Sequence, residues 1–310
     1  MGSGEVTGEQ IRELAQQITL VENSAPGSTE LLASMPTPSA HIVGITGPPG
    51  VGKSTSTSAL ITQLRGEGKS IAILAVDPSS TFSKGALLGD RIRMQDHALD
   101  SGVFIRSLAS RGHLGGLTGS IYSVLKVISA AGFDVIIIET VGVGQSEIEI
   151  AKMADTSIVI AAPGAGDGIQ AAKAGILEIA DIFTVNKSDR PGADATVREL
   201  KGMLSMAAGA QGIPAWETPV IPTIATDGSG FVELSEAISQ HHDYLVDQGL
   251  LERKRIGRIR ESLLARTMND LSLQAQGIEL EQDIAGQCAA GKLSEDEACD
   301  LIRKQIKAGQ

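Results

Sequence analysis

Two short stretches hold residue types and spacings suited to handling a nucleotide. The first is Gly47-Pro48-Pro49-Gly50-Val51-Gly52-Lys53-Ser54-Thr55, which matches GxxxxGK followed by Ser or Thr. Glycines let backbone N–H groups turn inward around phosphates without Cβ clashes, and a helix starting at the end of the loop adds its partial positive charge. Lys53 is placed to reach the β- and γ-phosphates, and the Ser54 hydroxyl to ligate Mg²⁺. The second stretch is Asn186-Lys187-Ser188-Asp189. An ionised Asp only accepts hydrogen bonds, and guanine offers it N1–H and N2–H₂ side by side, whereas adenine has a bare acceptor at N1. A site built this way rejects the purine that lacks the donors. Lys187 can lay its stem along the base, and Asn186 can brace neighbouring loops. The pair of stretches therefore points to GTP and GDP as ligands.

Magnesium needs hard oxygen ligands. Three carboxylates are candidates: Asp77 at the end of an apolar run, Asp90 in the loop Gly85–Arg93, and Glu139 at the end of Val135–Ile138. Carboxyl ends of parallel strands converge on the ligand crevice, which places Asp77 and Glu139 toward the phosphates. The candidate metal set is Ser54, Asp77, Asp90 and Glu139, and the candidate catalytic set Lys53, Glu139 and Asp77. Glu139-x-x-Gly142 has the form of a switch whose Gly142 N–H senses the γ-phosphate. Val143 follows, where fast-hydrolysing enzymes often place a glutamine to orient water, and Gln145 is offset. Slow intrinsic hydrolysis is the expectation. Thr223-Ile224-Ala225 occupies the position of a loop that offers a backbone N–H to guanine O6.

These residues must be held by strands and helices. Short Ile/Val-rich runs predict strands at His41–Thr46, Ser70–Val76, Val103–Ile105, Val135–Glu139, Ser157–Ala161, Ile182–Val185 and Val220–Ile224. Helical stretches alternate with them: Ser54–Arg65, Leu117–Ala131, Gln170–Ile176, Thr196–Met206 and 231–247. The predicted fold is α/β, a P-loop NTPase with a mostly parallel sheet sandwiched by helices. Residues 8–22 read as an amphipathic helix, and 23–40 as a short helix and linker rich in Pro and Gly. Residues 250–273 read as a long helix with Leu263, Leu264, Leu271 and Leu273 on its apolar side, and Ser294-x-x-Glu297 as a capping box before a terminal helix. The organisation expected is an N-terminal helical extension and linker (1–40), a nucleotide-binding domain (41–248) and a C-terminal helical extension (249–310).

Composition narrows the class. With 42% hydrophobic and 20% charged residues the 310-residue chain is an ordinary globule, and with 3% aromatics its core is built from aliphatics. A net charge of −11 argues against nucleic acid as a partner. Cys288 and Cys299 have neither the number nor the spacing of a disulfide framework or zinc site. No run approaches the ~20 apolar residues that span a bilayer, and 1–10 is polar rather than signal-like, so a cytoplasmic protein with no membrane role is expected.

Taken together, QITLVEN (16–22), VGITGPPGVGKST (43–55), VDPSS (76–80), GDRIRM (89–94), RGHLGGL (111–117), ETVGVGQSE (139–147), PGAGD (163–167) and residues 176–189 resemble the MeaB/ArgK family of SIMIBI-class GTPases. The resemblance implies a GTP-hydrolysing chaperone for a cobalamin-dependent acyl-CoA mutase, methylmalonyl-CoA mutase foremost, with Mg²⁺ at Ser54, Asp77, Asp90 and Glu139. It also implies a homodimer through the C-terminal extension, and a mobile loop at Gly164–Gly175 that carries Gly168 where the family often has an acidic residue. Two other readings share the motifs. A GTP-dependent metallochaperone needs a Cys/His relay, and residues 41–247 contain no Cys. A transport-associated kinase or ATPase is opposed by Asp189.

Overall fold

Alternation along the strands decides the layers. In a computed structural model, which describes residues 8–23, 25–37, 39–78, 97, 99–110, 116–140, 152–164, 179–208 and 216–308, seven strands form one sheet. They are β1 (His41–Thr46), β2 (Ile71–Pro78), β3 (Val103–Ser110), β4 (Val135–Thr140), β5 (Thr156–Ala161), β6 (Ile182–Asn186) and β7 (Val220–Thr223). The order is β3-β2-β4-β1-β5-β6-β7 and every pairing is parallel. All seven predicted strands are present. The last ends at Thr223, because Ile224 turns away to make a single antiparallel bridge with Ser229.

Successive residues point to opposite faces. Ile42, Leu74, Ile136 and Ile138 enter one core with α1 (Gly8–Glu22), α2 (Ser28–Ser34) and α4 (Gly116–Ala130). Val43, Ile45, Ile73, Ile137, Ile158 and Ile182 enter the other with α3 (Lys53–Gly66) and α6 (Phe231–Asp247). Near β5–β7, α5 (Ala193–Ala208) covers Val159, Phe183 and Val185 through Leu200. The N-terminal extension is part of this packing: Leu14, Ile18 and Val21 are buried, and Glu22 pairs with Arg106 of β3 at 3.1 Å.

The C-terminal region holds α7 (Leu250–Gln282), α8 (Ile284–Ala289) and α9 (Glu295–Ala308). Helix α7 is longer than the predicted 250–273. Its first turns lie against α4 and α6, with Arg258 and Ser262 buried, whereas Leu263, Leu264, Met268 and Leu273 are exposed. The capping box before α9 forms: Ser294 N–H and Oγ–H both donate to Glu297 Oε2 at 2.9 and 2.8 Å. Arg258 donates to the Met153 carbonyl at 2.6 Å and pairs with Asp155, whose side chain is 0% exposed. Removing one partner of such a pair strands a buried charge. Arg258→Ala should therefore cost about 3–5 kcal/mol in urea unfolding, while Arg303→Ala, whose pair with Asp300 is exposed, should cost under ~1 kcal/mol.

Candidate nucleotide-binding site

Strand β1 lies between β4 and β5, which are consecutive in the chain but leave to opposite sides of it. The loops at the carboxyl end of β1 therefore part over a crevice, the position where open α/β sheets bind ligands. Residues 47–52 run from β1 across this crevice into α3. Gly47, Gly50 and Gly52 have φ of 147°, 79° and 96°. A Cβ on Gly47 would overlap the Ile160 carbonyl, and one on Gly52 the Asn186 side-chain amide, so at both positions a side chain is excluded on two counts. Pro49 and Gly50 are exposed at the tip and Val51 is buried beneath them.

Lys53 opens α3, is 9% exposed, and donates from Nζ to the carbonyls of Gly47 at 2.7 Å and Pro48 at 3.1 Å. Its ammonium thus lies inside the loop that precedes it. Ser54 is next on the helix, and its Oγ–H donates to Glu139 Oε1 at 2.7 Å. Glu139 is 2% exposed at the end of β4, which pairs with both β1 and β2. A hydroxyl and a carboxylate meeting here are two hard oxygen donors of the kind Mg²⁺ takes. Thr55 follows on the exposed side of α3. Asp77 lies on β2 at its carboxyl end, paired with Ala109. Asp90, Gly142, Val143 and Gln145 lie outside the described residues, as do 165–178 with the helix predicted at Gln170–Ile176.

The second loop follows β6. Asn186, 2% exposed, donates from Nδ2 to the Val51 carbonyl at 2.8 Å and accepts from Ala225 N–H at 3.1 Å through Oδ1. One amide thus fastens three loops, the brace expected of it. Lys187 has φ 58°, a left-handed backbone uncommon for a side-chain-bearing residue, and its Nζ donates to the Gly50 carbonyl at 2.6 Å. That contact was not legible in the sequence, which placed the Lys187 stem along the base. Asp189 is exposed on the turn beyond. In the Thr223-Ile224-Ala225 loop, Ile224 N–H donates to Ser229 at 3.0 Å, and Thr223 accepts from Ser188 N–H at 3.1 Å. A base reaching for the Ala225 N–H must therefore share it with Asn186.

A parallel sheet with a glycine loop leading from its central strand into a helix, and a lysine held inside that loop, defines a P-loop nucleotide-binding protein. The Asn186–Asp189 loop fastened against it has the pattern of a guanine reader. The chain belongs to the family of the methylmalonyl Co-A mutase-associated GTPase MeaB, whose model matches residues 14–279. It is a P-loop GTPase. A Pyrococcus horikoshii protein bearing a GTPase name is 45% identical over 298 residues, covering 95% of this chain and 94% of that one. The mouse mitochondrial methylmalonic aciduria type A homolog is 31% identical over 323 residues, covering 95% and 76%. A crystal structure described as LAO/AO transport system kinase superposes with a TM-score of 0.64 at 27% identity, covering 97% of this chain and 99% of that one. Among the described residues no helix is long and apolar enough to cross a membrane.

Proposed function

We propose that this GTPase is a chaperone that regulates cofactor loading and protection of a cobalamin-dependent acyl-CoA mutase, methylmalonyl-CoA mutase. The observation that carries the reading is the family match over 14–279, joined to a site in which the phosphate loop, β4 and the base-reading loop are fastened to one another. GTP is the substrate. Residues 47–55 wrap its phosphates, with Lys53 leaving the Gly47 and Pro48 carbonyls to meet the β- and γ-phosphates. Asn186, Lys187, Asp189 and the 223–225 loop hold the guanine. Ser54, Glu139, Asp77 and Asp90 would hold Mg²⁺, which supplies charge neutralisation for the phosphates. Glu139 leads directly into 141–147, the segment expected to carry the γ-phosphate sensor Gly142. A change at Ser54–Glu139 would thus be passed along the chain into 141–147, a route by which nucleotide state can reach a partner.

Turnover is slow without the partner in this reading, because Val143 stands where a water-orienting amide is often found. Glu139→Ala should slow single-turnover GTP hydrolysis by about a hundredfold while changing GDP affinity much less. Equal hydrolysis in the variant and wild type would remove Glu139 from the chemistry.

We also propose a homodimer through the C-terminal region, where α7 leaves Leu263, Leu264, Met268 and Leu273 exposed. The proposed division remains 1–40, 41–248 and 249–310, with α7 rooted in the central domain through Arg258. A chain cut after Ser262 should accordingly be a monomer by light scattering and still bind GTP. A cut after Gly249 should lose stability as well, since it uncovers Asp155. The chaperone reading is tested by phosphate release with and without the mutase; an unchanged rate, with no complex in any nucleotide state, contradicts it.

A further inference from the structure

A buried hydroxyl stands idle beside the base-reading loop. Strands β6 and β7 run parallel with Asn186 opposite Thr223, so the two side chains leave the sheet on the same face. That face carries Ile221, two residues before Thr223, into the core with α3 and α6. Thr223 is 1% exposed. Its carbonyl accepts from Ser188 N–H at 3.1 Å, and its methyl lies 3.1 Å from where a Cβ on Gly230 would sit. Its Oγ1 is buried and has no hydrogen-bond partner among the described residues. A buried hydroxyl without a partner costs free energy, and such a group in a native fold calls for a reason.

Asn186 supplies the reason. Its Oδ1 accepts from Ala225 N–H at 3.1 Å while its Nδ2 donates to the Val51 carbonyl at 2.8 Å. Guanine O6 is an acceptor that would claim the same Ala225 N–H. One N–H facing two acceptors is bent away from both and weakened. The N–H itself has little room to shift. Ile224 N–H donates to the Ser229 carbonyl at 3.0 Å, Gly228 N–H to the Ile224 carbonyl at 3.0 Å, and Ser229 N–H to Asp227 Oδ1 at 2.9 Å, so the turn that holds Ala225 is closed on itself. Asn186 is 2% exposed, too deep for bulk water to replace a lost donor. At the same register position, one strand away, Thr223 holds an unused O–H.

We propose, on the guanine reading of the site given above, that Thr223 is a positioning residue for base recognition: when guanine O6 takes the Ala225 N–H, the Thr223 hydroxyl donates to Asn186 Oδ1 in its place. With guanine bound, both donors are then used and both acceptors, O6 and Oδ1, are met. Asn186 keeps its bond to Val51, so the brace between the phosphate loop and the base-reading loop survives the exchange. Adenine carries an amine donor where guanine carries O6, so it has no use for the Ala225 N–H and does not start the exchange. The relay thus adds to guanine preference separately from Asp189. Thr184 offers a control. It is on β6 two residues before Asn186, 1% exposed, and its Oγ1 is likewise buried and unpartnered among the described residues. It sits about 6.6 Å back along the strand rather than opposite Asn186.

The test is calorimetry of GDP and ADP on the full-length protein, beside urea unfolding of the same protein with no nucleotide added. Wild type should prefer GDP. Thr223→Val keeps the branched shape and removes the hydroxyl, so GDP affinity should fall about tenfold. Its ADP affinity and its urea midpoint should stay at the wild-type values, because neither state uses the hydroxyl. Thr223→Ser should regain the GDP affinity, and Thr184→Val should bind GDP as wild type does. A wild type without GDP preference would overturn the guanine reading and the relay together. With that preference present, the relay alone is overturned by Thr223→Val equal to wild type for GDP, or by an equal fall for GDP and ADP. It is overturned as well by Thr223→Ser binding GDP no better than Thr223→Val, or by the same loss in Thr184→Val. A lowered urea midpoint in Thr223→Val would mean that the hydroxyl is already bonded, and would also overturn it.

Discussion

Lys53→Ala is expected to lower the rate of GTP hydrolysis by about 100- to 1,000-fold. The Lys53 ammonium is buried inside the phosphate loop on the Gly47 and Pro48 carbonyls, and in the proposed function it leaves them to meet the β- and γ-phosphates. Once on the phosphate oxygens its charge faces the β–γ bridge, where negative charge builds up, and such a donor is worth more in an enclosed loop than in water. The substitution leaves the Asn186 bonds to Val51 and Ala225 in place, so guanine-dependent binding of GDP should fall much less than turnover. Single-turnover phosphate release beside GDP calorimetry makes the comparison. Equal losses in both would mean that Lys53 holds the loop together rather than acting on the phosphates.

The second large effect is on base choice. Asp189 is exposed beyond β6, on a turn that Lys187 holds to Gly50 and Ser188 to Thr223. Two charge-assisted hydrogen bonds to guanine, each worth about 1.5–3 kcal/mol, are removed when Asp189→Asn presents an amide N–H₂ to the N1–H and N2–H₂ donors. GTP affinity should drop by about a hundredfold to ten-thousandfold. Xanthosine triphosphate, which carries a carbonyl in place of the N2 amine, should bind the variant better than GTP does. Calorimetry with GTP, xanthosine triphosphate and ATP on both proteins tests this. Wild-type affinity for ATP equal to that for GTP would refute the role given to Asp189.

Strands were legible because each is a run of Ile and Val flanked by turn residues, and burial on both faces demands such runs. Their ends were less so. β3 continues to Ser110 through register with β2, pairing Arg106 with Leu74, and no local signal marks that extension. Helix α7 outran its prediction because the apolar pattern stops at Leu273 while the following Gln, Ala and Glu residues still favour helix. In the site, the phosphate and base loops were legible because their chemistry is local: a few consecutive residues supply backbone, charge and shape. Glu139 was placed near Ser54 from strand-end geometry alone, and the two are in direct contact at 2.7 Å. The pairing of Thr223 with Asn186 had no local sequence signature, since only strand order brings the two together.

The reading of this GTPase as a mutase regulator is tested most directly by phosphate release from GTP, under single-turnover conditions, with and without methylmalonyl-CoA mutase from the same organism. The expected result is slow release from the GTPase alone and a rise of at least tenfold when the mutase is added, in the range a partner can supply by completing a transition-state site. Glu139→Ala should lose the rise. The same rate with and without mutase, accompanied by no complex in the GTP- or GDP-bound state, would contradict the proposed function and leave the GTPase without that partner.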